Sequence, residues 1–276
     1  MINNIIQTIE KKVLGLFLLV LLTRNFFAQE KKATYVTVTK MHFKMDNENS
    51  SYKEWNTLQK EYFDKVTVKN ELILGHDHLV HYFTEDNSEV LNVNIYESWA
   101  TIEASQKRNT ELIEKAWPDK AKRDAFFKKL DSYYQDKHSD EIYVTMPFMK
   151  NTVIDSEKQM IYYLRKSHFN FSIEGSDDEF DKLFKEYFDN VTMKNENIKA
   201  YHTAAHAWGS DKTDFIEVFV VDNLDAIEKM FKRDEELFNA HWKDDKSRKE
   251  FNKKLDKYFT PLHSDYLYRS VVGLQK

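Results

Sequence analysis

The sequence predicts an α+β protein in which one βαββα(α)β module occurs twice. Three observations lead there. Laid on itself with an offset of 125, the 276-residue chain matches without a gap from 60–146 to 185–271, with 33 identities in 87 pairs. The best block sets KEYFDKVTVKNE against KEYFDNVTMKNE. Two copies are too few for a solenoid, so each is expected to be a domain-sized unit. Runs of β-branched and aromatic residues also alternate with amphipathic runs in the same order in both copies. Finally, 5 glycines and 3 prolines are few for this length, so regular elements joined by short polar connections should account for most of the chain.

Taken in order, 35–45 and 161–171 read as the first strand of each unit. The polar stretches NENSS and EGSDD follow and offer helix N-caps. Amphipathic stretches come next, over 52–66 and 179–191; in the first, Trp55, Leu58, Tyr62 and Phe63 fall at helical spacing. Strands are expected over 75–84 and 90–96, and over 200–208 and 215–221. Two helical stretches, around 99–117 and 120–134 in the first copy, lead to a last strand over 141–146 or 266–271. Such an order, with a hairpin in the middle, is the split βαβ or ferredoxin-like arrangement. It covers one sheet face with helices and leaves the other bare, so the bare faces of the two units are expected to pair with each other. The expected organisation is a leader over 1–28, a first repeat over 34–147, a linker over 148–159 and a second repeat over 160–272.

This element order, occurring twice, resembles the dimeric α/β-barrel superfamily, in which two ferredoxin-like units join their sheets into a barrel. Antibiotic-biosynthesis monooxygenase-type, NIPSNAP-like and stress-responsive barrel proteins are members. The resemblance covers nearly all of 34–272 and rests on element order and duplication, with no signature peptide of a member family. It implies an intramolecular barrel with a site between the sheets.

Composition narrows the function classes. The hydrophobic fraction of 41% is ample for a core, and 20 phenylalanines with 15 tyrosines suggest aromatic packing or a ring-lined pocket. The net charge is −5, and basic residues are interleaved with acids, as in KKLDSYYQDKHSDE, so no nucleic-acid partner is expected. Lys11 and Lys12, the apolar run 13–22 and the ending Phe26-Phe27-Ala28 describe a secretory signal peptide. The run is shorter than the roughly 20 residues of a membrane span, so no integral membrane association is expected after cleavage. A periplasmic or secreted protein of net charge near −7 would remain. With Cys 0, no disulfide, thiolate metal site or cysteine nucleophile is available. No Gly-rich phosphate loop, nucleophile elbow or HExxH motif is present.

Three histidines recur at matching places: His42 with His168, His81 with His206, and His138 with His263. His81 and His206 persist where their surroundings diverge (HDHLVHYF against YHTAAHAW), so they are the first candidates for base or ligand. The bland alternative is a histidine bonded to a backbone carbonyl. His138 and His263 open the tripeptide HSD, where they should end the preceding helix; Asp140 and Asp265 are then expected to approach His206 and His81 across the barrel and set their tautomers. His76 and His78 share one strand face and are the alternative metal ligands, with exposed polar strand ends as the plainer account. On the third strand, Leu91, Val93 and Ile95 are expected to face the helices, as are Ile216, Val218 and Val220. Asn92, Asn94, Tyr96, Glu217 and Phe219 should then face the interior, where burial beside Phe219 would raise the pKa of Glu217. Trp117 and Trp242 read as core plugs.

Together these residues suggest a small hydrophobic or aromatic ligand held between the sheets by His81, His206, Glu217, Asn92, Asn94, Tyr96 and Phe219, with His42 and His168 nearby. No cofactor or metal is expected. The resemblance implies one alternative, a cofactor-independent monooxygenase or haem-handling enzyme with His81 or His206 as base or ligand. A structural or interaction protein with a filled barrel is the other.

Overall fold

Strand-forming and amphipathic runs alternate through the chain, and the observed elements follow them closely. The structure, a computed structural model, describes residues 32–46, 51–151, 157–171 and 175–276, so the expected leader lies outside it. Among the described residues eight strands form: β1 Tyr35–His42, β2 Gly75–Phe83, β3 Glu89–Tyr96, β4 Ser139–Thr145, β5 Ile161–Phe169, β6 Ala200–Trp208, β7 Asp214–Val221 and β8 Phe259–Gln275. The helices are α1 Tyr52–Tyr62, α2 Trp99–Ala116, α3 Lys120–Asp131, α4 Asp177–Asn190, α5 Asp225–His241 and α6 Asp245–Asp256. Ser51 and Ser176, within the polar stretches expected to cap, accept from the backbone N–H of Glu54 and Glu179. The helix expected over 52–66 changes character at Phe63, where a π-helical turn, Phe63–Thr67, replaces its last turn. Among the described residues no helix is long and apolar enough to cross a membrane.

The strands close into one barrel in the order β1-β3-β2-β8-β5-β7-β6-β4. All eight pairings are antiparallel. Each half of the chain thus supplies four adjacent strands, and the halves meet twice, at β2–β8 and β4–β6. Closure removes every sheet edge. It also sends β1 and β5 in the same direction on opposite walls, so their carboxyl ends open at the same mouth of the barrel.

One expectation is reversed. Leu91, Val93, Ile95, Ile216 and Val218 line the barrel interior, while the polar and aromatic set on the same strands turns outward beneath the helices. Both faces of these strands are covered, one by the opposite wall and one by helices. Period-2 alternation therefore separates the faces without saying which is inner.

The outer layers differ in chemistry. In the first half Trp55, Phe63, Leu130 and Tyr133 pack beneath the helices, together with Val271 and Leu274 from β8. In the second half a cluster of rings (Phe180, Phe184, Phe188, Phe215) surrounds Met230. Strand β8 is longer than the expected 266–271 and carries a bulge between its pairings with Asp77 and Leu79. Gly273, with φ 77°, sits in that bulge, a conformation glycine adopts without Cβ strain. The bend brings Leu274 under α1 and Lys276 onto the backbone of His76. The expected linker also joins the core, because Phe148 is buried with its ring 4.8 Å from that of Phe184.

Candidate functional site

The barrel encloses a cavity of about 370 Å³. Its middle is apolar, walled by Val36, Val38, Leu79, Leu91, Val93, Leu164, Ile216 and Val218. At the mouth where β1 and β5 end stand Lys40, Lys166, Ser139, Glu141, Tyr143 and Tyr268; toward the other end lie Asp77, Tyr162, His202 and Asn151. A packed-shut interior, one of the expected alternatives, is not what the fold contains. The size falls within the roughly 300–1,000 Å³ of small-molecule sites.

Two similar networks anchor the mouth. Lys40 Nζ lies 2.8 Å from Glu89 Oε1, and Tyr268 donates its hydroxyl to Glu89 Oε2 at 3.1 Å. Lys166 Nζ lies 2.6 Å from Asp214 Oδ2, which Tyr143 Oη approaches at 3.3 Å. In each network the carboxylate comes from one half and the tyrosine from the other. Tyr143 also donates to Glu141 through a short hydrogen bond. Burial pushes the Asp214 carboxyl up from its usual value. Burial acts on Glu141 in the same direction, but hydrogen bonds from Tyr143 and Ser210 outweigh it and hold that carboxyl below the usual range. One hydroxyl thus touches two carboxylates whose surroundings push their proton affinities apart.

Sequence reasoning missed these residues, although a signal existed. Lys-x-His recurs at Lys40 and His42 and at Lys166 and His168, and Asp-x-Ser/Thr-acid recurs at 86–89 and 211–214. Short polar loops hide such pairs because their longest identities lie elsewhere.

The structure disperses the residues that the sequence suggested. His42 Nδ1 lies 3.2 Å from Asp86 Oδ2 and 3.3 Å from Ser88 Oγ, just beyond Lys40 at the mouth. His168 lies beyond Lys166, with Nδ1 3.1 Å from Thr213 Oγ1 and 3.3 Å from Asp211 Oδ2. Neither His81 nor His206 lines the cavity. His81 Nδ1 is bonded to Thr84 Oγ1 at 2.7 Å; His206 Nδ1 is buried without a hydrogen-bond partner among the described residues.

Their expected approach to Asp265 and Asp140 is corrected by register. The strands do pair, but His81 faces Tyr268 and His206 faces Tyr143, three residues from those acids. His138 and His263 end no helix: α3 stops at Asp131 and α6 at Asp256, and each imidazole pairs instead with its neighbouring Asp140 or Asp265, at 3.2 and 3.3 Å. Asp265 also accepts from Tyr163 at 2.6 Å.

His76 and His78 are buried beneath the first-half helices, not exposed strand ends. His76 Nδ1 contacts Asn94 Oδ1 at 2.8 Å, and His78 packs against Trp55. Burial pushes His78 down to about 3, so it stays neutral. Among the described residues no third His, Cys, Asp or Glu joins these two.

Asn92, Asn94 and Tyr96 share this outer side, with Asn94 donating to Asn92 at 3.2 Å. Glu217 and Phe219 lie outside the second-half wall. Tyr201 donates to Glu217 at 2.6 Å and packs on Phe219 at 4.8 Å. Burial raises the Glu217 carboxyl, as expected, but beneath helices and away from the cavity. Trp117 and Trp242 are buried, as core plugs should be.

No family model matches the chain, and no curated protein is similar to it in sequence. Solved structures share its fold. A candidate monooxygenase of Fusobacterium nucleatum superposes with a TM-score of 0.56 at 11% identity, over 87% of this chain and 93% of that one. A candidate monooxygenase of Lactobacillus acidophilus gives 0.54 at 9% identity, over 88% and 95%. A variant of chlorite dismutase from Candidatus Nitrospira defluvii gives 0.52 at 11%, over 87% and 92%. The protein therefore has the fold of the dimeric α/β-barrel superfamily, completed within a single chain.

Haem, implied as an alternative by that resemblance, was expected to take His81 or His206 as its ligand, which requires that imidazole to face the chamber. His81 is committed to Thr84, and neither it nor His206 lines the cavity. The nominated residues do not fit a haem inside the barrel.

Proposed function

We propose that this protein binds a small, largely apolar molecule with an anionic or polar head group inside the barrel. The head group lies at the mouth, beside Lys40 and Lys166. The observation that carries this reading is the distribution of polarity along the cavity: an aliphatic middle, with the ion-paired ammonium groups of Lys40 and Lys166 and the Glu141 carboxylate at one mouth. Apolar walls supply affinity by burial, and a few placed polar groups fix orientation. The reading treats the chain as two fused copies of one module, which the 33 identities support. It also places the protein outside the cytoplasm, which rests on the leader-like segment 1–28.

The probe is 1-anilinonaphthalene-8-sulfonate, an aromatic molecule with a sulfonate head. One equivalent should bind with blue-shifted emission. Val93→Trp, which fills the cavity, and the pair Lys40→Met with Lys166→Met should each weaken binding about tenfold or more. Unchanged binding in both variants sinks the reading.

Turnover is the second reading, favoured by Tyr143, whose hydroxyl contacts both Glu141 and Asp214 at the mouth. Burial and the two carboxylates push the pKa of this phenol well up, so it stays protonated and can offer a hydrogen bond to a bound molecule. Oxygen uptake with quinol-like substrates, lost in Tyr143→Phe, would favour it over binding alone.

A further inference from the structure

We propose that His168, Asp211 and Asp214 form a binding site for one first-row divalent cation, zinc being the best fit, at the rim of the barrel. Register places them there. His168 pairs with Asp214 across β5 and β7, two residues beyond the Lys166–Ile216 pair that lines the cavity. Asp211 comes from the turn before β7. One ligand atom from each of the three residues lies within 4.8 Å of the others.

The second observation is Asp214 itself. Its side chain has 0% exposure, yet Oδ1 has no hydrogen-bond partner among the described residues, and a buried carboxylate oxygen left so is costly. The other oxygen, Oδ2, is held by Lys166 and Tyr143, which fixes the orientation of the carboxylate. Oδ1 thus faces His168 Nδ1 at 3.5 Å, and Asp211 Oδ2 faces the same nitrogen at 3.3 Å, beside its 3.1 Å contact with Thr213 Oγ1, which a bound cation would replace. Charge-assisted hydrogen bonds are shorter, about 2.7–2.9 Å. Bonds of about 2.0–2.1 Å to a tetrahedral zinc, however, set ligand atoms about 3.3 Å apart. Thr213 Oγ1 donates to Asp211 Oδ1 at 2.6 Å and so orients the second carboxylate.

One imidazole with two carboxylates is a borderline donor set, suited to zinc or its first-row neighbours rather than to calcium or magnesium. Three protein ligands leave a position open toward the rim. The first half does not repeat the site. Glu89 stands where Asp214 does, and both its oxygens are taken, by Lys40 and Tyr268.

The test uses the untagged full chain, freed of metal by chelation. Calorimetry with Zn²⁺ should show one site per chain, and Co²⁺ should give visible absorption of tetrahedral intensity. His168→Ala and Asp211→Asn should each weaken zinc binding about 100-fold, while Asp86→Asn, at the matching place in the first half, leaves it unchanged. Asp211 lies in a partly exposed turn, so its variant should melt like the parent and separate loss of metal from loss of fold. No stoichiometric binding, binding by Asp211→Asn equal to the parent, or an equal loss in Asp86→Asn overturns the proposal.

Discussion

Asn109 on α2 and Asp234 on α5 stand at matching places, 125 apart, and are held alike. Asn70 Nδ2 donates to Asn109 Oδ1 at 2.7 Å, and Asn195 Nδ2 donates to Asp234 Oδ1 at 2.7 Å. On the strands beneath, Asn92 matches Glu217. The first half thus fills its polar layer with neutral amides where the second half uses carboxylates. Burial pushes Asp234 up to about 6 and raises Glu217 as well, with Arg165 partly offsetting both. The same hydrogen-bond geometry forms without charge in the first half. The carboxylates of the second half are therefore not required by the fold, and they cost stability when ionised.

The largest expected difference between the halves lies in their apolar layers. Val90 and Phe215 occupy matching positions and are both fully buried, but Phe215 packs against Phe169, Phe184 and Phe259. Phe215→Ala should cost about 4 kcal/mol and Val90→Ala about 2 kcal/mol in urea unfolding. Equal costs would break the claim that the second half relies on its rings.

A smaller effect sharpens the electrostatic contrast. A carboxyl whose folded pKa lies above its unfolded value binds its proton more tightly when folded. Its contribution is present below about pH 4 and is lost as pH rises through about 6. Asp234→Asn, which copies Asn109, should match the parent near pH 4 and exceed it by roughly 2 kcal/mol at pH 7.5, discounted for partial exposure. A variant less stable than the parent at pH 7.5 would mean that the charge supports the fold, through Arg165.

The least effect is expected where the halves agree best. Arg108 bridges Glu71 at 3.1 Å and Glu111 at 3.0 Å, and Arg233 bridges Glu196 and Glu236 at the same distances. These exposed pairs are screened by water, so Arg108→Ala and Arg233→Ala should leave the melting midpoint essentially unmoved. A clear drop in either would show that agreement between the halves marks stability after all.

Much of the architecture was legible because it is written in long periodic runs. The strand expected over 200–208 is β6 itself, and the barrel followed from counting bare sheet faces. Which strand face is inner was not legible, since Leu91 and Asn92 are both covered, by opposite layers. The site was harder still. His81 and His206 drew notice by persisting in diverged surroundings, yet the cavity rim is built by Lys40, Lys166, Tyr143 and Tyr268. These residues meet through the pairing of β2 with β8, 184 to 198 residues apart in sequence, and of β4 with β6, 59 to 66 apart. Glu217 was recognised as a carboxyl raised by burial, but its location beneath the helices depends on the same face assignment.

The two seams between the halves have a consequence for what the rim can become. A barrel assembled from two identical chains must present every residue twice, so a change on one side is imposed on the other, and the chamber dissolves on dilution. Here one covalent chain supplies both walls, and closure depends on the effective concentration within the molecule. The two sides of the rim are free to differ: Glu89 has no vacant oxygen, while Asp214, one methylene shorter, keeps one. A molecule entering this mouth meets two unlike sides and has one preferred way round.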